Sequence, residues 1–284
     1  MEILREKQGF IIGQRKFTLE LLQEFNCPGG KISSPLDPSI KLQADSGIPM
    51  DDPSLYRHLV GKLNYLTNTR PDISFVVLSL SQYMHRPCSS HFSAAQRVLR
   101  YLRTDPSQGI LPSSSPSFDL LAFCDADWAA CRDSRRSASV SLSSAEAKYR
   151  LMRRVTVEIT WLVRLLGDLT VQPTLPVLIH SDSQAAIHIA RNPIFHERTK
   201  HVDLDCHFVR QQFLFGLISL SFVPSDCQLA DLFTKPLSQG SHRHILSKLG
   251  VHSLPSILRG DVDDQNPHID SKENEETRKK KMKD

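Results

Sequence analysis

The sequence predicts an α/β fold with a partly parallel sheet, preceded by a mainly helical segment. Beyond residue 117, short apolar runs at 118–125, 176–182 and 217–223 alternate with stretches of helical periodicity, the pattern of strands joined by helices. From 54 to 104, apolar residues recur at helical spacing alone. Between these regions lies 106–117, whose run Pro112-Ser113-Ser114-Ser115-Pro116-Ser117 reads as a linker and a domain boundary. The predicted parts are therefore 1–105, the linker 106–117, an α/β part over 118–252 and a charged tail over 253–284.

Taken in order, residues 1–12 read as a hairpin with Gln8-Gly9 in its turn. A helix over about 15–26 follows, with Phe17, Leu21, Leu22 and Phe25 on one face, and 28–53 is loop-like. Ser54 caps a helix whose stripe is Leu55, Leu59, Leu63 and Leu66. Pro71-Asp72 opens a second helix carrying Val76, Val77, Leu80 and Met84. A third, about 91–103, buries Ala94, Ala95, Val98, Leu99 and Leu102. Its Arg97, Arg100 and Arg103 point elsewhere, either to track a phosphate backbone or as a solvated basic face. After the linker come strand 118–125, helix 144–167, strand 176–182, helices 183–191 and 200–214, strand 217–223, and short helices near 227–234 and 241–249. The tail mixes charges, ends in Arg278-Lys279-Lys280-Lys281 and is predicted to be disordered.

Composition narrows the class. The chain has 284 residues, 40% hydrophobic and 23% charged, enough for one or two cored domains. No run of about 18 apolar residues is present, so no membrane partner is expected. Met1-Glu2-Ile3-Leu4-Arg5-Glu6-Lys7 lacks an apolar signal core, which points to an intracellular protein, cytoplasmic or nuclear. The six cysteines include no CxxC pair, against a zinc site or a disulfide scaffold. Of 35 basic and 31 acidic residues, 7 and 8 lie in 253–284, so the body carries a mild basic excess that permits a polyanionic partner.

The chemistry-bearing candidates are carboxylates. Asp125 and Asp127 follow the apolar run Leu120-Leu121-Ala122-Phe123, where a buried carboxylate needs a partner or a metal. Glu146 and Asp182 stand at predicted helix starts, and Asp231 lies in Gln228-Leu229-Ala230-Asp231. Each also fits a local role: Glu146 in a capping box with Ser143, Asp182 as a cap, Asp231 against a helix dipole, Asp125 and Asp127 in a turn. Together, carboxylates from separate elements suit two divalent ions engaged on a phosphodiester.

Several co-linear segments then go further. They include Tyr56-Arg57-His58-Leu59-Val60-Gly61-Lys62-Leu63-Asn64-Tyr65-Leu66-Thr67, Thr69-Arg70-Pro71-Asp72-Ile73, Cys124-Asp125-Ala126-Asp127-Trp128-Ala129 and Ser143-Ser144-Ala145-Glu146-Ala147. Later come Ser181-Asp182-Ser183-Gln184-Ala185-Ala186, Asn192-Pro193-Ile194-Phe195-His196-Glu197 and Ala230-Asp231-Leu232-Phe233-Thr234-Lys235. On these the chain resembles the C-terminal part of the Pol polyprotein of copia-type LTR retrotransposons, near the plant members, over roughly 1–260. The resemblance implies the end of a reverse transcriptase, its thumb and connection, over 1–105. It implies an RNase H-like domain over 118–252, which would hydrolyse the RNA strand of RNA/DNA hybrids with two Mg2+ ions, or Mn2+ in their place. Residue by residue, Asp125, Glu146, Asp182 and Asp231 match the family's metal-binding, catalytic carboxylates. Implied partners are an RNA/DNA hybrid or other nucleic acid, and the rest of a Pol polyprotein.

Departures qualify the implied activity. The apolar-flanked Tyr-x-Asp-Asp polymerase signature is missing, so DNA synthesis is not expected. Arg135-Arg136-Ser137-Ala138-Ser139 runs directly into Val140-Ser141-Leu142-Ser143, where the family has a β-hairpin. Only 21 positions separate Asp125 from Glu146, too few for the sheet's second and third strands. Strand 118–125 would then be an edge and the hydrolytic activity impaired. Lys148, where the family usually has an acidic residue, reads as a surface change. The alternative is a non-catalytic nucleic-acid-binding or decayed remnant with no selected activity.

Overall fold

The computed structural model describes residues 1–6, 9–26, 28–45, 47–112, 118–125, 144–191 and 203–253. The direct join between Arg135 and Ser143 and the tail from 254 onward lie outside the described residues. Residues 1–253 form one unit.

The chain opens with strands β1 (Glu2–Glu6) and β2 (Gly9–Gly13), paired antiparallel as the sequence predicts, with Ile3 opposite Ile12. Two distant pieces extend this hairpin: β3 (Gly109–Ile110) pairs with β2, and β7 (Val251–His252) pairs with β3. Gly109 lies inside the stretch read as a linker. A Cβ there would stand 2.5 Å from the Ile12 carbonyl oxygen, so the β2–β3 approach requires glycine. This four-stranded sheet draws together the first residues of the chain and residues that follow the last helix.

Helices α1 (Arg15–Phe25), α2 (Ser54–Leu66), α3 (Ser74–Ser81) and α4 (Ser89–Leu102) pack into one apolar cluster. The face of α2 is shifted from the expected one: Leu55 is exposed and Tyr56 is buried in its place. The Tyr56 hydroxyl donates to the Leu80 carbonyl at 2.8 Å, so its polar tip is satisfied inside the cluster. Helix α4 buries Ala94, Ala95, Val98, Leu99 and Leu102 as expected.

A single 3-10 turn, Pro71–Ile73, precedes α3. Its Asp72 is no exposed first-turn residue but sits fully enclosed with Arg70, at 2% and 1% exposure. Arg70 donates three hydrogen bonds to the carboxylate, from Nε at 3.0 and 3.3 Å and from Nη2 at 2.8 Å, and a fourth to the Asp105 carbonyl. The Tyr101 hydroxyl donates to the same carboxylate at 2.6 Å.

The second sheet is parallel throughout, in the order β4 (Leu121–Cys124), β5 (Val177–Ser181), β6 (Ile218–Phe222). Helices α5 (Ser144–Asp168), α6 (Gln184–Arg191) and α7 (Asp203–Leu214) contribute Tyr149, Met152, Ile159, Ile187 and Val209 to the core against Val177, Ile179, Ile218 and Leu220. The fold is therefore mixed α/β, with a helical segment first, as predicted. Among the described residues β4 pairs with β5, and the stretch between Asp125 and Ser144, where further strands are expected to be missing, lies outside them.

The segment 225–249 connects the two regions. After a 3-10 turn at Ser225–Cys227, the short helix α8 (Asp231–Thr234) packs against α3. The following α9 (Gln239–Lys248) is capped by Ser238, whose hydroxyl accepts from the Ser241 amide. His242 of α9 is buried with Nε2 3.3 Å from the Asp72 carbonyl oxygen. Among the described residues no helix is long and apolar enough to cross a membrane.

Burial holds the His242 pKa below its ordinary value, because a buried imidazolium loses its hydration, and the nearby Asp72 offsets this only in part. A folded-state pKa below the unfolded value of about 6.5 means that the unfolded chain binds the proton more readily. This contribution to stability is therefore complete above pH ~6.5 and is lost as pH falls from there. Urea unfolding midpoints should drop between pH ~7.5 and ~5.5, and His242→Gln should flatten that slope. An unchanged slope in the variant would count against the assignment.

Candidate active site

The parallel register sets the first two carboxylates side by side. Cys124 pairs with Ser181, so the next residues, Asp125 and Asp182, leave the carboxyl ends of adjacent strands β4 and β5. That edge of a parallel sheet is where α/β folds place their ligands. Asp231 joins them as the first residue of α8. Gln228, fully buried, fixes this last segment to the sheet: its Nε2 donates to the Cys124 carbonyl at 3.1 Å, and its Oε1 accepts from the Ala230 amide.

Two lysines stand among the three carboxylates. Lys148, from the second turn of α5, lies 3.1 Å from Asp125 Oδ1 and 2.5 Å from Asp182 Oδ1. Lys235, just past α8, lies 3.0 Å from Asp125 Oδ2 and 2.9 Å from Asp231 Oδ1. Thr234 Oγ1 donates to Asp125 Oδ2 at 2.9 Å, and Ser225 Oγ donates to Asp182 Oδ2 at 3.3 Å. Asp125 is 2% exposed, yet its Oδ1 accepts no aligned hydrogen bond; the Lys148 contact is one of charge and distance.

The electrostatics follow from this packing. Burial pushes the Asp125 carboxyl up, but Lys235, Thr234 and Lys148 outweigh it, and the pKa falls below the ordinary value. Asp231 moves the other way: burial, together with the Asp125 charge, outweighs Lys235. Burial pulls both ammoniums down, and the carboxylates more than reverse it, so Lys148 and Lys235 stay firmly charged. Burial also pushes the Cys124 thiol up to about 11, which leaves it a neutral, inert group beside the site.

Three of the four expected carboxylates, Asp125, Asp182 and Asp231, thus converge, whereas the Glu146 side chain lies outside the described residues. Lys148 corrects an expectation: it is no surface change, since its side chain is only 15% exposed and bridges two of the carboxylates. The burial of Met152, one helical turn further on the same face of α5, turns Lys148 toward the sheet. Lys235, Thr234 and Gln228 were also without a predicted role. The only sequence signal among them is the helical i, i+4 spacing of Asp231 and Lys235. Among the described residues, no cluster of His, Cys, Asp and Glu is placed to hold a metal ion. Among the described residues, the two ammoniums stand at carboxylate oxygens that a divalent ion would use.

The α4 arginines lie apart from this cluster, against the protein's own 28–34 loop. All three are half-buried. Arg97 donates to Ser34 Oγ at 3.4 Å, Arg103 donates to the Gly29 carbonyl at 2.9 Å, and the Arg100 side chain packs beside Gly29. His207 is exposed on α7, and His201 lies outside the described residues.

No family model matches the chain, and no solved structure matches it. Among curated proteins it is 38% identical over 281 residues to "Retrovirus-related Pol polyprotein from transposon RE2" of Arabidopsis thaliana, covering 92% of the chain and 19% of that protein. It is 37% identical over 276 residues to the corresponding polyprotein of transposon RE1 of Arabidopsis thaliana, with 90% and 19% covered. To that of transposon TNT 1-94 of Nicotiana tabacum it is 28% identical over 285 residues, with 89% and 21% covered. The chain thus spans 19–21% of the length of these relatives.

Proposed function

Because the chain belongs to the retrovirus-related Pol polyproteins of copia-type transposons, we propose that residues 118–252 are an RNase H-like domain and 1–105 the end of the preceding reverse transcriptase. The observation that carries this reading is the meeting of Asp125, Asp182 and Asp231 at the carboxyl edge of a parallel sheet. The ancestral activity is hydrolysis of the RNA strand of an RNA/DNA hybrid by two Mg2+ ions, held by these residues and Glu146. In the present chain the Lys148 and Lys235 ammoniums take up the same carboxylate oxygens, and hydrolysis is impaired. The short Asp125–Glu146 spacing supports the same conclusion, since 21 positions leave little chain for two further strands.

What remains is recognition of the hybrid by a body with a basic excess, within a larger Pol polyprotein. The other reading, a non-catalytic remnant that grips nucleic acid through Arg97, Arg100 and Arg103, is the weaker one. Those side chains are engaged with the 28–34 loop.

The test is fluorescence anisotropy of the full chain in EDTA with an RNA/DNA hybrid and with single-stranded RNA. Binding should favour the hybrid and weaken steeply with added salt, since phosphate contacts release counterions. Equal affinity for both probes, or no binding at low salt, would sink the reading. In a parallel assay with Mg2+, the wild-type chain should leave most of the hybrid intact.

A further inference from the structure

We propose that Lys148 is a resident cation that closes this carboxylate site to divalent metal. The proposal rests on reading Asp125, Asp182 and Asp231 as ancestral metal ligands. A divalent ion bridging Asp125 and Asp182 needs one inward oxygen from each. Those two oxygens, Oδ1 of Asp125 and Oδ1 of Asp182, are the ones the Lys148 ammonium approaches, at 3.1 and 2.5 Å. Magnesium would sit about 2.0–2.1 Å from both, in contact with the ammonium that already lies between them. The second oxygens are also taken, Asp125 Oδ2 by Thr234 and Lys235, and Asp182 Oδ2 by Ser225.

The ammonium is held there by the fold and by the charge around it. Lys148 lies between Ala147 and Tyr149, both buried, and shares a helix face with the fully buried Met152, so α5 cannot rotate to carry it away without opening the core. Its side chain is mostly buried, which leaves little room to swing out. Charge balance acts in the same direction. The two ammoniums already offset much of the carboxylate charge, which weakens the attraction for a divalent ion. The ammonium also offsets the charge of the buried Asp125 without any ion from solution.

The test is Mn2+ binding to the full chain, by isothermal titration calorimetry and by the Mn2+-dependent shift in Tm against an ionic-strength-matched control. The wild type should show no saturable site at millimolar Mn2+ and no specific Tm rise. Lys148→Glu should acquire a saturable site, binding at least roughly tenfold tighter, with a metal-dependent rise from a lower metal-free Tm. Lys148→Arg should behave as wild type, because it keeps the cation. Should Lys148→Glu lose its cooperative transition, Lys148→Gln provides the same reading, with the charge removed and none added. Wild-type binding as tight as that of Lys148→Glu or Lys148→Gln overturns the proposal, as does a Lys148→Gln that still binds no Mn2+. Binding of an RNA/DNA hybrid is read separately. Metal binding gained by a chain that shows no preference for the hybrid in EDTA upholds the resident cation and sinks the RNase H-like reading.

Discussion

Asp72→Ala is expected to destabilise the protein by about 3–5 kcal/mol, the cost of stranding a buried charge. Arg70 is 1% exposed, and three of its hydrogen bonds end on this one carboxylate. Removing Asp72 leaves the guanidinium in the core with the Asp105 carbonyl as its remaining acceptor among the bonds described above. The Tyr101 hydroxyl loses its acceptor as well. The loss should appear as a lower urea midpoint at unchanged m-value. Arg70→Met combined with Asp72→Leu should recover much of it, since an apolar pair of similar bulk carries no desolvation cost. A single Asp72→Ala variant within ~1 kcal/mol of wild type would contradict the network as described. Burial alone would raise the Asp72 pKa, but Arg70 and Tyr101 hold it below the ordinary value. Its contribution is therefore present above the unfolded carboxyl pKa of about 3.9 and is lost in stronger acid, as pH falls through the folded value.

Met152→Ala should cost about 2–5 kcal/mol, the range for truncating a large side chain in a packed core. Met152 has no exposed surface and belongs to the apolar cluster that also holds Cys124, Tyr149, Val177, Ile179, Val209 and Leu220, from α5, α7 and all three parallel strands. Because residues 1–253 form one unit, this variant and Asp72→Ala should shift the same unfolding transition although they sit in different apolar clusters. A change below ~0.5 kcal/mol, or a separate transition for each variant, would mean that the parallel sheet is not a cooperative part of that unit.

Local chemistry was legible where it repeats. The stripe Ala94, Ala95, Val98, Leu99 and Leu102 predicts α4 and its buried face, and the short apolar runs predict β5 and β6 to within a residue. Legibility failed where a distant partner makes the decision. Leu55 and Tyr56 fit the α2 pattern about equally, and the Leu80 carbonyl, in another helix, selects Tyr56. Gly109–Ile110 and Val251–His252 are two-residue strands, too short to carry any periodicity, and exist because β2 offers an edge to pair with. Asp72 was legible as a helix-opening residue and not as the partner of Arg70. Their spacing of two residues says nothing about burial, which comes from Tyr101 and His242 closing over them.

The opening carboxylates divide in the same way. From the sequence alone come the helices and strands, which depend on neighbours in the chain, and the resemblance that singles out Asp125, Glu146, Asp182 and Asp231 as candidates. Only the tertiary structure decides that Asp125 and Asp182 leave adjacent strands, that Asp231 reaches them through α8, and that Lys148 stands between the first two. The physical reason is the range of the forces. Periodicity and capping act over one helical turn, whereas the position of a buried charge is set by whichever opposite charges the whole packing brings within reach.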